Sequence, residues 1–111
     1  MYLTKETTAA TLRQLSQLAP GSTVVMTVML PIELVDEADR PGLQMSSEGA
    51  RRSGTPFISF FTPDEIVALA HEAGFDDAEH LSSSVVADRY FAGRSDGLRP
   101  STGEDYLIAR T

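Results

Sequence analysis

Ser59-Phe60-Phe61-Thr62-Pro63-Asp64-Glu65-Ile66-Val67-Ala68-Leu69-Ala70-His71-Glu72-Ala73-Gly74-Phe75 contains the start, the buried face and the end of one helix. Thr62 predicts the N-cap, because a hydroxyl there accepts from an orphan amide of the first turn. Pro63 fits the first helical position, where a missing N–H leaves nothing unsatisfied. Glu65, three residues past the cap, completes a capping box, and with Asp64 it sets negative charge at the positive end of the helix dipole. Ile66, Leu69, Ala70 and Ala73 recur at helical spacing and form one apolar face. Gly74 stands where a left-handed residue ends a helix, and Phe75 can fold back onto the last turn. Such a module lays a helix on a sheet.

Outward from that stretch, Thr55–Phe61 is extended and aromatic, and Phe75–Ser82 predicts a weaker, more exposed strand. Ser22–Leu30 is β-branched and almost continuously apolar, a composition that predicts a strand buried on both faces. Before it, Thr4 caps a first helix whose buried stripe is Leu12, Leu15 and Leu18, ending at Pro20-Gly21. Pro31–Arg40 is a polar excursion with Ile32, Leu34 and Val35 tucked beneath. Pro41 opens a helix bearing Leu43, Met45 and Ala50, made marginal by Gly42, Gly49 and paired serines. Ser84–Phe91 gives a short helix, residues 92–97 a turn, and Glu104–Ala109 a last strand. The order helix, strand, helix, helix, strand, helix, strand predicts an α/β architecture with helices on the sheet faces. The whole of residues 1–111 is expected to be one domain.

Nine basic against 16 acidic residues give a net charge of −7, which disfavours nucleic-acid and anionic-membrane partners. Absent cysteine removes disulfides, thiolate nucleophiles and cysteine–zinc sites, and fits a reducing compartment. No apolar run approaches the roughly 18–20 residues that span a bilayer. Met1–Glu6 lacks a basic-then-apolar leader pattern, so a cytoplasmic location is expected. His71 and His80 have no partner at metal-ligand spacing and are expected to be surface residues. No Gly-x-Ser-x-Gly elbow and no Gly-x-Gly-x-x-Gly turn occurs. The arginines at 51, 52, 89, 94 and 99 read as solvated loop charges, and Phe57, Phe60 and Phe61 as core. The residues alone assemble no catalytic constellation.

Several segments together resemble a known family. They are Met1-Tyr2-Leu3-Thr4, Leu18-Ala19-Pro20-Gly21-Ser22, Ala38-Asp39-Arg40-Pro41-Gly42, Ser53-Gly54-Thr55-Pro56-Phe57 and Phe60–Glu65. Glu72-Ala73-Gly74-Phe75 and Arg89–Pro100 complete the set. Combined, they resemble the C-terminal half of S-adenosylmethionine-dependent methyltransferases of the leucine carboxyl methyltransferase-like family. That resemblance implies part of a class I methyltransferase (Rossmann-like) sheet. Ser22–Leu30, Phe75–Ser82 and Asp105–Arg110 would be its fifth, sixth and seventh strands, in the order 5-7-6 with the last antiparallel. It implies an O-methyltransferase acting on a carboxyl or hydroxyl oxygen, with S-adenosylmethionine as donor. The donor-binding motifs belong to the N-terminal half and do not occur here, so the chain alone is expected neither to bind the donor nor to be active. Tyr2 matches a substrate-side tyrosine of the family, and Phe61, Arg89 and Tyr90 are further substrate-binding candidates. No catalytic, cofactor-binding or metal-ligating residue is assigned. A non-catalytic dimerisation or interaction module, or a truncated product of a methyltransferase gene, is the alternative. Residues 24–30 lack the neighbour of a fifth strand, and such an apolar edge recruits a partner. A homo-oligomer, such as a homodimer, or a companion N-terminal segment is therefore expected there.

Overall fold

The computed structural model describes residues 1–111. The chain runs through α1 (Lys5–Leu15), β1 (Thr23–Met29), α2 (Arg40–Arg52), α3 (Pro63–Ala73), β2 (Asp77–Leu81), α4 (Ser83–Tyr90) and β3 (Glu104–Arg110). A single 3-10 turn at Ile32–Leu34 joins β1 to α2. This is the predicted element order. The result is a small α/β domain: a three-stranded sheet ordered β1-β3-β2, with β3 antiparallel to both neighbours and helices flanking it.

Local chemistry sets the helix ends. The Glu65 N–H donates to Thr62 Oγ1 at 3.2 Å while the Thr62 N–H donates to a Glu65 carboxylate oxygen at 2.9 Å, closing the capping box. Gly74 ends α3 with φ 108°, and the Phe75 N–H then donates to the Ala70 carbonyl. Thr4 caps α1 by accepting from the Thr7 N–H, and Ser82 caps α4 by accepting from the Val85 N–H.

The register sorts the side chains into two faces. Val24, Met26 and Val28 of β1 lie opposite Ala109, Leu107 and Asp105 of β3, and Ala78 and His80 of β2 lie opposite Ala109 and Leu107. This face meets α1 and α3 in a core of Leu12, Val28, Phe61, Ile66, Ala70, Ala73, Phe75, Leu107 and Ala109. The other face carries Thr23, Val25 and Thr27 with Arg110, Ile108 and Tyr106. Here the expectation of a β1 buried on both faces fails: the strand alternates, and Val25 is 61% exposed. Only the end of that face at Met29, Glu104 and Tyr106 has α2 and α4 near it, and Val25 is left open, so an apolar run does not by itself enforce two-sided burial. Leu18 also departs from its predicted place in the α1 stripe, because the helix stops at Leu15 and leaves Leu18 exposed. The helix expected to be marginal, α2, runs 13 residues yet buries none of them, with Met45 largely exposed. Its start is fixed by Arg40, whose Nε donates to the Val35 carbonyl at 2.9 Å. No helix is long and apolar enough to cross a membrane.

Candidate functional site

The end of β1 and the start of β3 meet in the pair Met29–Glu104, and above this pair opens a cleft of about 590 Å³. Gly42, Leu43 and Ser46 line it from α2. Met1, Tyr2 and Phe57 line it from the chain's first residues and from the extended segment before α3. Tyr2 and Phe57 meet edge to face, centroids 5.5 Å apart. The Met1 carbonyl accepts from the Ile58 and Ser59 N–H groups, and Ser59 Oγ donates to the Leu3 carbonyl. Backbone pairing, rather than the ring alone, therefore sets where Tyr2 sits.

Asp39, at the mouth of α2, organises the opposite rim. Its carboxylate accepts from Arg99 Nη1 and Nη2 at 2.9 and 2.7 Å, and from the Thr102 N–H and hydroxyl at 2.9 and 2.8 Å. The Arg99 guanidinium, followed by the Thr102 donors, holds this carboxyl well below the usual carboxylate range. The network ties the loop before β3 to the start of α2 and so positions Ser101, Gly103 and Glu104. Gly103 leaves room for Leu43, whose Cδ2 would lie 3.3 Å from a Cβ at that position. Glu104 is different from Asp39. It is partly buried and lines the cleft, and its carboxylate oxygens, which take no hydrogen bond or ion pair from a protein group, reach solvent.

A second polar group lies away from the cleft. On the core face of the sheet His80 is diagonal to Asp105, a spacing that long side chains bridge. His80 Nε2 and Asp105 Oδ2 are 2.7 Å apart, and Asp105 Oδ1 accepts from the Ser83 N–H at 2.7 Å. Asp105 is 4% exposed and anchors the first turn of α4. His80 is thus half-buried and paired, where the sequence suggested a free surface residue; its partner is 25 residues away and gives no local signal. His71 is exposed, as expected, with Nδ1 3.2 Å from the Phe75 carbonyl oxygen. No group of three His, Cys, Asp or Glu side chains is placed to hold a metal ion.

The four substrate-side candidates do not converge. Tyr2 alone lines the cleft. Phe61 is buried in the core, with Lys5 Nζ 4.8 Å from its ring centre. Arg89 and Tyr90 project from the exposed last turn of α4. Phe57, Asp39 and Glu104 are the cleft residues that sequence motifs did not single out as a site. The local hint was the aromatic run Phe57, Phe60 and Phe61, which can line a pocket as well as a core, and of these Phe57 lines the cleft.

No protein-family model matches the chain. Over 109 residues it is 31% identical to the "Putative S-adenosyl-L-methionine-dependent methyltransferase YktD" of Bacillus subtilis (strain 168), covering 97% of this chain and 36% of that protein. The chain thus spans about a third of the length of this curated relative. Its fold is similar to that of a Bordetella parapertussis protein described as a "possible exported protein", with a TM-score of 0.57 and 21% identity over 94% of this chain and 33% of the other.

Proposed function

We propose that this chain is the C-terminal segment of an S-adenosylmethionine-dependent methyltransferase of the leucine carboxyl methyltransferase-like family, acting on a carboxyl or hydroxyl oxygen. The observation that carries this is the similarity to YktD along nearly the whole chain. The strand order β1-β3-β2 with β3 antiparallel supports it, being the order the resemblance implies for the fifth, seventh and sixth strands of a class I sheet. The cleft adds support, since open α/β sheets bind ligands beyond the carboxyl ends of their strands, and Met29 ends β1 there. In this assignment Tyr2 contacts the acceptor and Phe61 supports the core behind it. Arg89 and Tyr90 would reach a substrate only where further chain closes over α4.

The methyl donor does not fit the residues present. The cleft has no glycine-rich turn leading from a strand into a helix, and the Asp39 carboxylate is taken up by Arg99 and Thr102. By itself the chain therefore neither binds the donor nor transfers a methyl group, and the donor is held by protein outside these residues. Calorimetry tests this directly. Titration of the chain alone with S-adenosylmethionine is expected to give no saturable heat. Co-expression with a separately encoded donor-binding half of the family should restore binding at micromolar Kd, about 8 kcal/mol. A reconstituted pair that still binds no donor refutes the assignment.

A second role, as a non-catalytic interaction module, is favoured by β1 itself. One side of this strand pairs with β3; the other is closed at Met29, whose carbonyl accepts from the Phe61 N–H at 2.9 Å, and is otherwise an unpaired edge next to the exposed Val25. Its backbone N–H and C=O groups suit a second copy of the chain or a companion N-terminal segment.

A further inference from the structure

We infer that the open edge of β1 pairs with β1 of a second copy of this chain, antiparallel and with Val25 on the two-fold axis. The inference stands apart from the methyltransferase assignment, since it uses only the strand and its neighbours. Along β1 the peptide groups alternate between two sides. The Thr111 N–H donates to the Ser22 carbonyl and the Leu30 N–H to the Gly103 carbonyl, so even-numbered positions turn to β3. Odd-numbered positions turn outward, where the Met29 carbonyl accepts from the Phe61 N–H at 2.9 Å. Thr23, Val25 and Thr27 keep outward N–H and C=O groups that no turn, loop or cap engages. The open stretch is bounded by Phe61 at one end and at the other by the turn at Gly21, with φ 83°. Its midpoint is Val25.

What faces outward selects the occupant. Thr23, Val25 and Thr27 read the same in both directions, and β1 carries none of the charges or prolines that keep an edge from pairing. A two-fold axis through Val25 sets Val25 beside its own copy and each Thr23 beside a Thr27 of the second chain. Every outward donor then meets an acceptor, hydroxyl faces hydroxyl and apolar faces apolar. Moving the axis to Met26 would put Thr23 opposite Met29, whose carbonyl is already taken. Moving it to Val24 would put Thr27 opposite the turn at Gly21. The far edge of the sheet is built differently: β2 carries Asp77 and Glu79, exposed charges that block edge pairing. Association therefore closes at two chains instead of growing into a fibre. So short a ladder makes a small contact, and the dimer forms in proportion to concentration.

The chain has no cysteine, so single replacements report the register without background. Val25→Cys changes an exposed side chain and is expected to give a disulfide-linked dimer under mild oxidant. Facing residues of a hydrogen-bonded pair stand about 5.5 Å apart at Cα, within disulfide reach. Thr23→Cys alone and Thr27→Cys alone are each expected to stay uncrosslinked, because the two copies of either residue lie roughly 13 Å apart along the strands. An equimolar mixture of these two variants is expected to crosslink as a heterodimer. Crosslinking of Val25→Cys no faster than that of Thr23→Cys or Thr27→Cys alone overturns the proposal. Should the cysteine variants not fold, the unmodified chain decides. Its scattering mass should climb from one chain toward two across a concentration series, and exchange at the Val25 amide should slow in step. A mass of one chain throughout, growth past two chains, or exchange at Val25 that ignores concentration overturns the proposal. The first of these outcomes leaves the edge to a strand from a companion segment.

Discussion

Two carboxylates illustrate how far single residues act in this fold. Asp105 is buried and accepts from both His80 and the Ser83 N–H, so Asp105→Ala leaves an amide of the α4 first turn without its acceptor. A loss of about 1–3 kcal/mol is expected, with faster hydrogen exchange in α4 than in α3. Unfolding by urea with amide exchange measures both. Asp39 adds a pH dependence. Its folded-state pKa is depressed by Arg99 and Thr102, so its stabilisation is complete above the unfolded carboxyl value of about 3.9 and is lost as pH falls through the lower folded value. Asp39→Asn should therefore destabilise by about 1–2 kcal/mol at neutral pH, and the gap from wild type should shrink in strong acid. A gap that widens on acidification contradicts the assigned sign. Neither residue was legible as an anchor in the sequence, since Asp39 meets Arg99 across 60 positions and no periodicity reports such a pairing.

At the level of elements, what is local was legible. The α3 cap, its proline, its apolar face and its terminating glycine all depend on residues within a few positions of one another, and each stands where the sequence put it. Thr62→Ala should cost about 1 kcal/mol. Gly74→Ala should cost about 1–2 kcal/mol for the left-handed backbone, and the new methyl would also press on Ser16 Oγ, 3.1 Å from a Cβ there. Thermal unfolding of both variants checks the values; a neutral Gly74→Ala contradicts the tight approach of α1 to α3. What depends on cover was not legible. The apolar run of β1 reads the same whether one face or two are packed, and Leu18 keeps its helical spacing although the helix has already ended. For the same reason α2 carried no sequence mark of lying over a cleft.

The whole molecule balances one well-packed face against an open one. Leu12, Ile66 and Leu107 are completely buried where α1, α3 and β3 meet, so Leu12→Ala should cost about 2–5 kcal/mol, a large share of a small domain's stability. On the other side the free edge of β1 remains. Light scattering across a concentration series should show association, and Val25→Lys should suppress it; a monodisperse monomer at high concentration excludes the partner role. Strand order became readable only through the resemblance, because antiparallel insertion of the last strand between the first two leaves no trace in local pattern. That insertion also fixes when the protein can fold. Residues 104–110 are the last of the three strands in chain order and the centre of the sheet, so neither β1 nor β2 has its neighbour until Glu104–Arg110 is made. Before that, these residues are a set of capped helices and two unpaired strands, and a stall ahead of Glu104 yields no sheet at all.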